Sequence, residues 1–104
     1  MVSLSKDNFK QELSEGVCFV DFWSNSCQKC LQFMDGVVEL SEKYKDSMKF
    51  FKFNVDEDKM LCIKEKVMGL PTMIVYENGE QKGRLMPNKI NTKSDIEEFI
   101  KSNI

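Results

Sequence analysis

The chain has 104 residues, 41% hydrophobic and 31% charged, the length of one domain able to bury a core without disulfide staples. Its formal net charge of −2 gives no footprint for nucleic acid or an anionic membrane, and no apolar run approaches a membrane span. Histidine is absent, which removes Ser-His and Cys-His pairs, histidine zinc ligands and imidazole acid–base chemistry, so any catalysis must rest on thiols, carboxylates or lysines.

Residues 1–4 read as a short edge strand. The opening Met1-Val2-Ser3-Leu4-Ser5-Lys6-Asp7 has neither a basic n-region nor an apolar h-region, so the expectation is a cytoplasmic protein without a secretory signal. Ser5 is placed as the N-cap of a helix running through Leu13, with Phe9 and Leu13 four apart and Gly16 as its stop. Residues 17–22 are too continuously apolar for a strand with one wet face and read as the centre of a sheet. A helix over 27–44 repeats Phe33, Val37, Leu40 and Tyr44 every three or four residues. Residues 49–55 alternate Phe51, Phe53 and Val55 against Phe50, Lys52 and Asn54, a second strand. A short helix over 59–66 is expected to turn Leu61, Cys62 and Ile63 inward.

Leu70-Pro71 leads into a strand over 72–76, and Asn78-Gly79 supplies a tight hairpin returning through 81–86. The last helix opens with Ser94-Asp95-Ile96-Glu97 as a capping box and places Ile96, Phe99 and Ile100 on one face. This succession predicts one α/β domain over 1–104, a mixed sheet covered by helices on both faces.

Four cysteines in a reducing compartment point to a redox or metal site rather than a disulfide framework. In Cys27-Gln28-Lys29-Cys30 the first thiol falls at a helix N-terminus and the second one turn inside, where i and i+3 side chains are neighbours. The helix macrodipole favours Cys27 as thiolate, nominating it as nucleophile and Cys30 as the thiol that resolves the intermediate. The competing reading is a zinc site completed by Cys18 and Cys62, both of which sit in apolar periodic segments that suit core thiols. Asp21 lies within the buried strand, where a carboxylate beside a thiol suits proton management, the alternative being an outward-pointing surface residue. Trp23 suits packing or the site, and Met68, Met73 and Met86 read as core or rim filler.

With Val20-Asp21-Phe22-Trp23, Cys27 and Cys30, Asn54-Val55-Asp56, Gly69-Leu70-Pro71-Thr72 about forty residues beyond the cysteines, and Asn78-Gly79-Glu80, the chain resembles the thioredoxin family over essentially its whole length. The resemblance implies the thioredoxin fold, a central mixed five-stranded sheet flanked by four helices. It implies an exposed nucleophile at Cys27, a buried resolving thiol at Cys30, and a proton-transfer carboxylate at Asp21 paired with Lys52. It also implies a cis-proline at Pro71, with the backbone of Leu70 pairing with an extended target segment, Trp23 and Ser26 being further contact positions. The family's usual Trp-Cys-Gly-Pro-Cys reads Ser26-Cys27-Gln28-Lys29-Cys30 here, so Gln28 and Lys29 are the positions expected to tune the site. A cation beside Cys27 favours thiolate, and each pKa unit is about 1.4 kcal/mol, or roughly 30 mV for a two-electron couple. The expected potential is therefore less reducing than the roughly −270 mV of thioredoxin itself.

The implied activity is reduction of protein disulfides, with disulfide-containing targets and a thioredoxin reductase as partners and no cofactor or metal. A glutaredoxin-like, oxidase or isomerase activity, a binding module without turnover, and metal carriage remain as alternatives at this point.

Overall fold

The strand Val17–Trp23 sends five of its seven side chains into two separate cores, and the fold is built outward from it. The computed structural model describes residues 1–104. In chain order the elements are β1 (Val2–Ser3), α1 (Phe9–Glu12), β2 (Val17–Trp23), α2 (Gln28–Lys43), β3 (Lys49–Asn54), α3 (Lys59–Lys64), β4 (Thr72–Glu77), β5 (Glu80–Leu85) and α4 (Lys93–Ser102). The five strands form one sheet in the order β1-β3-β2-β4-β5, with β2 parallel to β3 and antiparallel to β4. The central position of β2, the mixed sheet and the four helices are as the sequence led us to expect.

The period-2 alternation of β2 sorts the core. Cys18, Val20 and Phe22 join Leu4, Phe9, Leu13, Phe53, Cys62 and Tyr76 under α1 and α3. Phe19 points the other way, to Val37 and Leu40 of α2 and Ile96 and Ile100 of α4. Phe9 meets the rings of Phe22, Phe53 and Tyr76 at centroid distances of 6.1, 5.6 and 6.0 Å, edge-on or tilted, as ring quadrupoles favour. β3 is buried on both sides as well: Phe51 and Phe53 face one core and Phe50 the other. Val55 has left the strand for a 3-10 turn, Val55–Glu57, whose cap is the Asn54 carboxamide accepting the Asp56 amide at 3.0 Å.

Several local expectations are corrected. The first helix is only Phe9–Glu12, and Ser5 does not cap it: Ser5 and Asn8 satisfy each other's backbone amides instead, closing a turn ahead of the helix. Ile63 is 66% exposed, because α3 has fewer than two turns and the next residue after the buried Cys62 swings about 100° out of the core. The last helix is capped by Thr92, not Ser94. Thr92 Oγ1 accepts the Asp95 amide while the Asp95 carboxylate accepts the Thr92 amide. Asp95 is thereby held below the usual carboxylate range by the Asn91 and Thr92 amides.

The hairpin turn is as expected, with Asn78 and Gly79 both at positive φ (51° and 87°), the geometry whose twist suits paired strands. The polar return strand β5 lies at the sheet edge, where charged side chains discourage further pairing. Its Arg84 guanidinium donates to the Lys66 carbonyl at 2.6 Å, the Glu65 carbonyl at 2.7 Å and the Gln81 carboxamide at 3.0 Å, fastening the end of α3 to the sheet.

The reassigned cap is testable. Thr92→Ala should cost about 1 kcal/mol in urea unfolding, whereas Ser94→Ala should stay within about 0.5 kcal/mol. Equal losses at the two positions would contradict the capping box described here.

Candidate active site

Strand β2 ends at Trp23, and the chain turns through the Cys27 amide bonding the Ser24 carbonyl at 3.2 Å before α2 begins. Cys27 is the N-cap, extended at φ −91° and ψ 100°, and Cys30 is the third residue of the helix. At an N-cap a side-chain acceptor normally takes one of the four orphan amides. Here the Cys27 sulfur does so, accepting the Cys30 N–H at 3.1 Å. The two residues are joined as a disulfide with Cα atoms 5.3 Å apart. Cys27 is half-buried, whereas Cys30 is 1% exposed. A partly exposed residue whose sulfur accepts a helix amide is thus joined to one buried in the core.

Asp21 shares its face of β2 with Phe19, the face that α2 covers, and is 1% exposed. Its Oδ1 has no hydrogen-bond partner. Burial pushes its pKa up from 3.8 to about 7, opposed by the charge of Lys52 on the adjacent strand. Lys52 makes no direct ion pair with Asp21; its ammonium lies 5.2 Å from the centre of the Trp23 ring, a cation–π contact on the same sheet face. The indole N–H of Trp23 is also buried without a partner.

The second rim of the site is the loop before β4. The Leu70-Pro71 peptide is cis, with Pro71 buried and Leu70 half-buried. A cavity of about 350 Å³ opens beside it, lined by Val55, Ile63, Val67, Met68 and Leu70 among others. Met68 is 87% exposed and Met60 72%, so Met68 is surface rather than core, while Met73 is fully buried. Ser26 and Gln28 are exposed at the helix mouth, and Ser26 Oγ lies 3.2 Å from Ser24 Oγ. Lys29 is half-buried and its ammonium donates to the Pro87 carbonyl at 2.7 Å. No sequence signal marks that contact across 58 residues. Cys18 and Cys62 are free thiols buried in the core under α1 and α3, Cys62 also lining the cavity beside Leu70, with pKa values raised by burial. Nowhere do three or more cysteine, aspartate or glutamate side chains converge as a metal site would need.

The family model described as Thioredoxin matches residues 1–102. The chain belongs to the thioredoxin family. It is 34% identical over 106 residues to a thioredoxin of Acetoanaerobium sticklandii, covering all of both chains. To a thioredoxin of Peptoclostridium acidaminophilum it is 37% identical, over 78% of this chain and 76% of that one. The solved structure of Plasmodium falciparum thioredoxin superposes over the full length of both chains with a TM-score of 0.91 at 26% identity. A thioredoxin-family chain with a cysteine pair at disulfide distance is a thiol–disulfide oxidoreductase. No helix is long and apolar enough to cross a membrane.

The buried carboxyl sets a pH signature. Between pH 3.8 and about 7 native Asp21 keeps a proton that the unfolded chain releases, so this group lowers stability as pH rises across that window. The gap corresponds to roughly 4 kcal/mol when complete. Asp21→Asn should match the wild type near pH 4 and exceed it by up to about 4 kcal/mol at pH 8 in urea unfolding. A difference that does not vary with pH would refute the buried protonated carboxyl.

Proposed function

We propose that the protein reduces disulfides of target proteins in the cytoplasm, the span 1–104 acting as one catalytic domain. The observation that carries this reading is the partly exposed Cys27, its sulfur hydrogen-bonded to a helix amide, beside the buried Cys30. In the dithiol form the same amide and the helix dipole stabilise the Cys27 thiolate. That thiolate attacks one sulfur of the target disulfide, forming a mixed disulfide and releasing the other target sulfur as thiolate. Cys30 then gives up its proton to Asp21 and attacks the Cys27 sulfur. The Cys27–Cys30 bond forms, the mixed disulfide breaks, and the second target sulfur leaves. Two electrons pass from the dithiol to the target.

Asp21 suits the proton step because a base works best with a pKa near the working pH. Lys52, parked over Trp23, acts on Asp21 through space by its charge rather than by a bond, which keeps that pKa from rising further. Leu70-Pro71 receives an extended target backbone, and the apolar cavity beside Leu70 offers surface to protein rather than to small ionic substrates. Ser26 and Gln28 border the attacking sulfur. Returning the disulfide to dithiol requires an electron donor, for which a thioredoxin reductase is the partner. Buried, unpaired Cys18 and Cys62 fit a reducing compartment.

Cys27→Ser should abolish insulin reduction. Cys30→Ser should stall as a covalent adduct with target proteins, visible by mass as an addition on Cys27. Adducts carried on Cys18 or Cys62 instead, or activity persisting without Cys27, would overturn the assignment.

A further inference from the structure

Lys29 occupies the position where the family's usual motif has proline, and its ammonium is not left in solvent. It donates to the Pro87 carbonyl at 2.7 Å. The same carbonyl accepts the Ile90 amide at 3.2 Å, so both of its acceptor sites are taken. Pro87 also leans on the other rim: a Cβ placed on Gly69 would lie 3.3 Å from the Pro87 ring, tighter than most such contacts. Gly69 directly precedes Leu70-Pro71. Pro87 therefore bonds the first turn of α2 through its oxygen, while its ring stands close enough to the loop before β4 to leave little room for a side chain at Gly69.

We infer that Lys29 is a positioning residue for target recognition, bracing the 3-10 turn Pro87–Lys89 and the Leu70-Pro71 loop against the cysteine-bearing helix so that the rims of the target groove hold a fixed spacing. The inference rests on the function proposed above. It assigns the ammonium to a neutral carbonyl on the groove rim, in contrast to a charge that acts chiefly on the Cys27 sulfur. A lysine at this place thus does by hydrogen bonding across the groove what no side chain lacking a long donor arm could do, because Pro87 lies on a separate segment.

The test compares the wild type with Lys29→Met, which keeps the length and loses the donor, and Lys29→Arg, which restores a donor. With insulin as target, Lys29→Met should raise KM about threefold to tenfold, the span expected for one hydrogen bond, with kcat unchanged. The Cys27–Cys30 potential should stay where it is, and amide exchange at Ile90 should accelerate by a similar factor. Lys29→Arg should restore KM and Ile90 protection. A potential that moves in Lys29→Met while KM does not would overturn the brace in favour of charge tuning at Cys27. Unchanged KM and unchanged Ile90 exchange in an active protein would also overturn it. A wild type without insulin activity would instead sink the proposed function, and the role in recognition with it.

Discussion

The hydrogen bond from the Cys30 amide to the Cys27 sulfur is the constraint around which the molecule is arranged. It exists only if α2 begins at Cys27, and that in turn requires the chain to leave β2 and turn within the few residues from Ser24. The turn can be that tight because β2 is locked on both flanks, by β3 and β4, and on both faces, by phenylalanine-rich packing. A helix start fixed this firmly places an orphan amide where a sulfur can use it at no further cost in ordering.

The same burial that fixes the helix start makes Asp21 unfavourable. A carboxyl with an unpartnered oxygen, in a strand otherwise made of apolar and aromatic residues and one cysteine, weakens the fold wherever it is charged. The second core beneath α2 and α4 and the dense ring cluster around Phe9 on the opposite face offset that weakness. Stability has been given up at one buried position for a group able to exchange a proton near neutral pH. The indole N–H of Trp23, two residues along on the same face, is a second buried polar group without a partner.

Much of this was legible in the amino-acid sequence. The continuous apolar run around Phe19 and Val20 foretold a central strand, and Asn78-Gly79 foretold the hairpin, since both signals are local and have one physical reading. Cys27 and Cys30 were legible for the same reason: their spacing fixes their geometry once a helix starts there. Local ambiguity explains the misplaced caps. Ser5 and Ser94 are both acceptable capping residues, but Ser5 bonds back to Asn8 ahead of the helix and Thr92 lies two residues before Ser94 with the Asp95 it pairs with. Ile63 defeated the periodicity argument because a helix of six residues gives too few repeats to define a face. The placement of Lys52 over an indole and of Lys29 on Pro87 was invisible, since long flexible side chains choose partners that only the tertiary fold brings near.

Of fifteen basic side chains only Arg84 is an arginine, and it is the one that must reach three acceptors at once. An ammonium on a flexible stem lacks the planar fork needed to hold two adjacent carbonyls and a carboxamide in a single geometry. The preference for lysine elsewhere therefore meets a stereochemical limit at this edge strand. At this edge one guanidinium works as the rivet that holds the residues following α3, Glu65 and Lys66, to the sheet.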